Sequence, residues 1–205
     1  MFLNRQQAGQ RLAKELKKYK DDKSAIVLAV PNGGVLVAKP IAESLNLNLD
    51  LIVVRKLPMP NQPEAGIGAI SETGDIVFQP QARFYNKQTI DRILAQQKKE
   101  IETRIRILRS GRGLPDLENR TVILVDDGIA MGSTMEVAIK TVKKKKTARI
   151  IVAVPITGPR QVRKFKSMVD EFICPLVPRF FYAVAQGYQN WRDVSCQEVI
   201  EALKK

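Results

Sequence analysis

Two adjacent carboxylates, Asp126 and Asp127, follow four apolar residues at positions 122–125 and precede a turn of mostly small residues. That turn consists of Ala130, Met131, Gly132, Ser133 and Thr134. A short β-branched run predicts a buried strand, and a glycine-bearing turn before a helical pattern predicts a helix N-terminus. Such a terminus offers unpaired backbone N–H groups and a partial positive charge, to which hydroxyl side chains add donors. The segment therefore predicts a site for a phosphate monoester.

The two carboxylates suit a sugar attached to that phosphate. They precede the turn directly, at the place where the vicinal hydroxyls of a bound sugar 5-phosphate would emerge, and carboxylates accept hydrogen bonds from hydroxyls. One alternative is that Ser133 and Glu136 form an ordinary capping box beside solvated strand-end carboxylates. Another is a phosphatase-type or receiver-type pocket with a nucleophilic carboxylate. The phosphate-binding turn that follows the pair favours ligand binding instead.

The composition excludes several other kinds of chemistry. The 205 residues contain no histidine, which removes imidazole bases, histidine-dependent triads and the commonest transition-metal ligand. The two cysteines, Cys174 and Cys196, have no zinc-site spacing and are expected to be reduced thiols. Neither a complete dinucleotide-binding fingerprint nor a P-loop sequence is present. Chemistry must therefore depend on carboxylates, lysines, backbone amides or a hard cation.

The net charge of +13 would attract polyanions such as nucleic acid, anionic lipid or phosphorylated metabolites, without choosing among them. The densest run, four lysines at 143–146, lies at the expected end of a helix, where cations suit the helix dipole. We interpret that run as a solvated helix end rather than a nucleic-acid contact. Because no apolar run approaches the roughly 18 residues of a membrane span and no signal-peptide centre is present, we expect a soluble, cytoplasmic protein.

Alternating patterns predict an α/β fold with an open, mainly parallel twisted sheet flanked by helices. Continuous apolar runs, typical of strands covered on both faces, lie at residues 25–30, 49–54, 121–125, 149–154 and 171–176. Helical patterns lie at residues 35–45, 89–109, 134–145 and 159–168. In such sheets ligands bind beyond the carboxyl ends of the strands, and this rule places the site there.

The remaining segments complete the predicted architecture. Residues 57–70 contain three prolines and two glycines, so we expect neither a helix nor a central strand there, but a loop long enough to serve as a lid. Ser195 and Glu198 predict a capping box that opens a final helix. We expect one domain over residues 1–205, with a core at about 25–176 and a C-terminal hood and helix at about 177–205.

Residues 122–134 closely resemble the phosphoribosyl diphosphate signature of the type I phosphoribosyltransferases: four apolar residues, two acidic ones, two variable positions and a small-residue loop ending in threonine. The weaker resemblance in order and spacing covers residues 25–176. It implies transfer of a phosphoribosyl group from phosphoribosyl diphosphate to a nitrogen nucleophile, with a nucleobase as the expected acceptor, and release of diphosphate. It also implies a homodimer and a Mg²⁺ cofactor held mainly by substrate oxygens, which a hard cation prefers.

The resemblance assigns roles to individual residues. Asp126 and Asp127 would bind the ribose hydroxyls and stabilise positive charge on the sugar, and residues 130–134 would hold the 5-phosphate. The leaving diphosphate would be received by two loop glycines and a basic pair, namely Gly33, Gly34, Arg55 and Lys56. The expected proton acceptor is Asp127, with Glu64 as the second candidate. Tyr188 and Trp191 are candidates for stacking on a base, although these aromatic residues also fit a role in covering the sheet edge.

Two positions depart from the family pattern. Met131 stands where many members have threonine, and Asn32 stands where an arginine is frequent in Pro-Arg-Gly-Gly versions of the diphosphate loop. The second departure puts diphosphate handling, and hence catalysis, in doubt. The competing hypothesis is therefore a regulator that senses phosphoribosyl diphosphate or a nucleotide and binds nucleic acid through its basic surface. A receptor for sugar phosphates is a third interpretation.

Overall fold

A computed structural model of the chain describes residues 1–60 and 62–204, and the side chains of Pro63 and Glu64 lie outside that description. The strands are β1 (Ala25–Ala29), β2 (Asn48–Leu51), β3 (Val54–Met59), β4 (Gln62–Ser71), β5 (Ile76–Phe78), β6 (Thr121–Val125), β7 (Arg149–Ala153) and β8 (Glu171–Ile173). The α-helices are α1 (Arg5–Glu15), α2 (Gly33–Leu45), α3 (Lys87–Arg109), α4 (Ser133–Lys144), α5 (Pro159–Lys166) and α6 (Cys196–Leu203). None of these helices, in the ranges that the structure describes, is both long and apolar enough to cross a membrane.

Five strands form a parallel sheet in the order β2-β1-β6-β7-β8. Strand β6 lies at its centre and is buried along its whole length. Successive side chains of a strand point to opposite faces, so Ile123 and Val125 enter the core that includes α2, whereas Val122 and Leu124 enter the core that includes α4. Val125 is in register with Ala29 on one side and Ala153 on the other. The predicted parallel sheet covered on both faces is confirmed.

The prediction for residues 57–70 was wrong, because most of this stretch is strand. Strands β3, β4 and β5 form a second, antiparallel sheet in which β4 is the central strand. Pro58 is tolerated because it lies on the edge strand, where the register with β4 shifts. A Cβ at Gly68 would lie 2.2 Å from the carbonyl oxygen of Val77, so this glycine permits the close approach of β5. A lid function for the hairpin stays a prediction.

The predicted strand at residues 49–54 is divided between the two sheets. The parallel strand ends at Leu51, and Val54 already begins β3 of the second sheet. The buried residues Ile52 and Val53 connect them, which explains why the apolar run in the sequence continues without a break. Arg55 and Lys56 consequently lie on β3 rather than at the end of a core strand.

The C-terminal residues return to the N-terminus. Phe2 and Tyr188 form a parallel β-bridge, supported by backbone hydrogen bonds from Phe2 to Gly187 at 2.7 Å and from Gln189 to Phe2 at 2.8 Å. The predicted capping box of Ser195 and Glu198 is present at the start of α6. Helix α1, for which the sequence analysis made no prediction, packs against α2 beside this bridge. The single-domain interpretation of residues 1–205 stays a prediction.

Candidate active site

A cavity of about 510 Å³ opens where the carboxyl ends of β1 and β6 meet the start of β3. Its walls combine the loop after β1, the carboxylates after β6 and basic side chains from α1, β3 and α3. The lining residues that bear on the chemistry are Arg5, Asn32, Gly33, Arg55, Lys56, Arg104, Asp126, Asp127, Thr134, Trp191 and Asp193. Residues distant in the sequence are thereby brought together at the sheet edge that the strand pattern predicted.

The two aspartates form one tightly packed unit. The backbone N–H of Asp127 donates to Oδ1 of Asp126 at 2.8 Å, and Oδ2 of Asp127 accepts a hydrogen bond from Nε of Arg5 at 2.8 Å. Burial raises the pKa of Asp126 well above its ordinary value, and the adjacent charge of Asp127 raises it further. Burial also raises the pKa of Asp127, although the Arg5 guanidinium opposes this shift. Each carboxylate is therefore less acidic than an exposed aspartate.

Arg5 is a site residue that the sequence analysis missed. Its side chain is only 8% exposed, lies 4.0 Å from the centre of the Trp191 ring and donates through Nη1 to the carbonyl of Arg192 at 2.9 Å. The helix that carries it had a detectable start, because Asn4 caps α1 and Ala8 and Leu12 form its apolar face. No pattern in the sequence indicates that the side chain at position 5 contacts the one at position 127.

The loop after β1 is shaped by the carboxylates. Gly33 and Gly34 form the first turn of α2. A Cβ at Gly33 would lie 1.9 Å from Oδ2 of Asp127, and one at Gly34 would lie 2.9 Å from Cα of Asp126. Glycine is required at both positions because a side chain there would collide with the aspartates. This requirement is additional to the predicted close approach of diphosphate. The preceding Pro31–Asn32 peptide bond is cis.

The predicted phosphate turn leads into α4. Gly132, with φ of 88°, occupies the N-cap position, and no side chain caps the helix. The alternative capping box of Ser133 and Glu136 is therefore wrong, and Glu136 instead forms an ion pair with Lys164. A Cβ at Gly132 would lie 2.9 Å from the Phe165 ring. The left-handed conformation and the close ring explain why glycine occurs here.

The backbone of this turn presents donors. Within the part of the chain that the structure describes, the N–H groups of residues 130–134 donate no hydrogen bond. The carbonyls of Ala130 and Met131 accept from Nε2 of Gln161, each at 3.1 Å. Thr134 lines the main cavity, whereas Ala130 and Met131 border a neighbouring depression of about 300 Å³. Because these N–H groups lie at the N-terminus of α4, where the helix carries partial positive charge, the set fits an anion.

The two hood aromatics have different positions. Trp191 lines the cavity, with the Arg5 guanidinium over its ring. Tyr188 is 5% exposed, packs against Phe2 and Trp191, and donates its hydroxyl to the backbone carbonyl of Asp127 at 2.6 Å. Burial raises the pKa of this hydroxyl above its ordinary value. The Tyr188 hydroxyl thus holds the backbone just after β6, and its buried ring is not placed to stack on a base.

Comparison with known proteins identifies the family. A model of the phosphoribosyl transferase domain matches residues 2–186. The chain belongs to the phosphoribosyltransferase family. It is 36% identical, over its whole length, to proteins of two Mycobacterium tuberculosis strains whose names assign them provisionally to the phosphoribosyl transferases. The chain spans about half the length of these curated relatives, 47% of each.

Solved structures agree with this phosphoribosyltransferase fold. The crystal structure of TT1426 from Thermus thermophilus matches with a TM-score of 0.81 and 34% identity, covering 98% of this chain and 97% of that one. A hypoxanthine phosphoribosyltransferase of Staphylococcus aureus matches with a TM-score of 0.51 and 12% identity, covering 87% and 77%. The second match concerns the fold alone. The predicted type I phosphoribosyltransferase architecture is confirmed.

The cavity has oxygen ligands for a hard cation, but few of them. Among the described residues, no three histidine, cysteine, aspartate or glutamate side chains are grouped as a metal site. The Asp126 and Asp127 carboxylates at the cavity fit an ion that takes most of its ligands from substrate and water, as Mg²⁺ commonly does. Glu64, the second candidate for a proton acceptor, has a side chain outside the described part of the structure.

Proposed function

We propose that this chain transfers the 5-phosphoribosyl group of phosphoribosyl diphosphate to a nitrogen nucleophile of a nucleobase, releasing diphosphate. The observation that carries the proposal is the set of free backbone N–H groups at residues 130–134, which follow the half-buried Asp126 and Asp127 pair after two residues. The N–H groups suit the three oxygens of a 5-phosphate, and the carboxylates suit the ribose hydroxyls. Homodimerisation, which the family resemblance implies, belongs to the same proposal.

In the proposed reaction the bond between the ribose C1 carbon and a diphosphate oxygen breaks as a bond from C1 to the nucleophilic nitrogen forms. The leaving oxygen takes the electron pair, so positive charge grows on the sugar ring in the transition state. Asp126 and Asp127 would stabilise this charge electrostatically, because both carboxylates line the cavity. Mg²⁺, bound mainly to substrate oxygens, would supply charge neutralisation for the diphosphate.

The nitrogen nucleophile must also lose a proton. Asp127 is the proposed acceptor, because a partly buried carboxylate with a raised pKa is a stronger base than an exposed one. Its Oδ2 atom already accepts from Arg5, an interaction that holds the carboxylate in place. Trp191 in the cavity wall is the proposed contact of the base ring.

Calorimetric titration of phosphoribosyl diphosphate with Mg²⁺ tests the proposal. The wild-type protein should bind in the micromolar range, Asp126→Asn/Asp127→Asn should not bind detectably, and Asp91→Asn, an exposed change on α3, should bind as the wild type does. A panel of nucleobases should then identify one that releases diphosphate. Absence of binding to the wild type would refute the proposed site. Binding without turnover of any base would favour the ligand-sensing alternative.

A further inference from the structure

Two guanidinium groups face the cavity from the side of α3 and β3. Arg104 of α3 donates through Nη1 to Oδ1 of Asn32 at 2.9 Å. Arg55 of β3 donates through Nε to Oε1 of Gln97 at 3.2 Å. Both arginines line the cavity that contains Asp126 and Asp127. Each side chain is thus held by a neutral amide, which does not neutralise its charge.

No described carboxylate forms an ion pair with either arginine. Burial lowers the pKa of Arg55 below its ordinary value, and the proximity of Arg104 lowers it further, whereas Glu100 acts in the opposite direction. Two like charges beside one cavity repel each other, and a bound anion would relieve that repulsion. The part of the cavity that Arg55 and Arg104 line therefore suits an anion, although Asp126, Asp127 and Asp193 also line the cavity.

Asn32 determines where one of these charges is placed. Besides accepting from Arg104, its amide donates to the backbone carbonyl of Val194 at 2.7 Å. The loop residues 30–32 include no cation, so the positive charge beside this loop is supplied by Arg104 of α3.

We propose that Arg104 binds the diphosphate group of phosphoribosyl diphosphate and that Asn32 positions it. This inference rests on the proposed function. Arginine is suited to the role because its planar guanidinium has five N–H donors and binds phosphate oxygens in pairs. Only one donor of Arg104 has a partner within the described chain.

The test compares two ligands that differ in the diphosphate group. Phosphoribosyl diphosphate and ribose 5-phosphate, each with Mg²⁺, are titrated into the wild type, into Arg104→Gln and into Arg106→Gln, a control on the exposed face of the same helix. Arg104→Gln should raise the Kd for phosphoribosyl diphosphate about tenfold or more, as expected for loss of charged hydrogen bonds. The Kd for ribose 5-phosphate should stay within about twofold, and the control should leave both unchanged.

The outcomes separate the two proposals. If the wild type binds neither ligand, the proposed function fails. If it binds phosphoribosyl diphosphate and Arg104→Gln binds it equally well, the function stands and the role of Arg104 is overturned. An equal loss of both ligands in Arg104→Gln and in Arg104→Lys would likewise overturn it, because that result indicates a structural role.

Asn32 is tested by a double-mutant cycle. Asn32→Ala alone should weaken phosphoribosyl diphosphate binding and spare ribose 5-phosphate. Because Asn32 is proposed to act through Arg104, adding Asn32→Ala to Arg104→Gln should cause no further loss. Additive losses would refute the positioning role.

Discussion

At the scale of single residues, the charge on Asp126 is proposed to serve binding at the expense of stability. Its folded pKa is raised by burial and by Asp127, so ionisation at neutral pH destabilises the folded state relative to the unfolded one. A carboxylate needs its charge to bind hydroxyls strongly, and this creates a conflict between function and stability.

Asp126→Asn should therefore abolish ligand binding and raise the melting temperature at pH 7 by a few degrees, since 1 kcal/mol shifts Tm by about 2–4 °C in a chain of this size. The gain should shrink as the pH falls toward about 3.9, the pKa of an unfolded aspartate, because both states of the wild type then become protonated. Thermal unfolding from pH 3.5 to 8 measures this. A lower Tm for Asp126→Asn than for Asp91→Asn at pH 7 would contradict the expectation.

Sequence reasoning identified the aspartate pair and several residues that line its cavity, among them Gly33, Arg55 and Thr134, but it missed Arg5 and Arg104. Residue types in a continuous segment carry enough information to indicate a strand end and a phosphate turn. Arg5 and Arg104 belong to helices in which charged side chains occur both toward the solvent and toward the site. Residue type alone therefore does not indicate which of these side chains reaches the site. Their contacts with Asp127 and Asn32 depend on how those helices dock, and local pattern does not determine that docking.

At the scale of the elements, the parallel strands and most helices followed from continuous apolar runs and helical periodicity. The second sheet did not, because prolines at 58, 60 and 63 and glycines at 66 and 68 normally indicate a loop. Here the proline of β3 lies on an edge strand, and glycine allows neighbouring strands to approach closely. Tertiary packing thus overrode local propensity.

The turn before α4 permits a matched glycine comparison. Gly132 and Gly111 have similar positive φ values, 88° and 80°, but a Cβ would meet Phe165 at the first and nothing within 4 Å at the second. Gly111→Ala should cost about 1–2 kcal/mol of backbone strain. Gly132→Ala should cost at least about 1 kcal/mol more through overpacking, and should also weaken ribose 5-phosphate binding at least tenfold. Denaturant unfolding and calorimetry measure both effects, and equal stability losses in the two variants would contradict the packing argument.

At the scale of the whole molecule, the basic charge is partly balanced by local pairing. In the lysine run at 143–146, Lys144 forms an ion pair with Asp75 and Lys146 lies 3.8 Å from Glu118. Helix α4 ends at Lys144, as a run of cations at a helix C-terminus favours. These contacts support the interpretation of the run as a helix end.

The remaining positive charge should give weak nucleic-acid binding that does not depend on the proposed substrate. We expect a Kd for single-stranded RNA no tighter than about 1 μM at physiological salt, weakening steeply with ionic strength. Phosphoribosyl diphosphate should leave the RNA affinity unchanged, because its proposed site lies inside the cavity. Fluorescence anisotropy at several salt concentrations, with and without ligand, measures this. A ligand-dependent change of about fivefold or more would favour the regulatory alternative.

The contacts of Asp127 also bear on how the site forms during synthesis. Arg5 is 122 residues away in the sequence and is made long before the aspartate, whereas Tyr188 follows it by 61 residues. When Asp126 and Asp127 leave the ribosome, Arg5 has therefore already been made. Tyr188, whose hydroxyl binds the Asp127 carbonyl, and Trp191, whose ring contacts the Arg5 guanidinium, are not yet available. A nascent chain stalled after residue 176 includes all five strands of the parallel sheet in its sequence. It should still lack a competent pocket, because it ends before Tyr188 and Trp191.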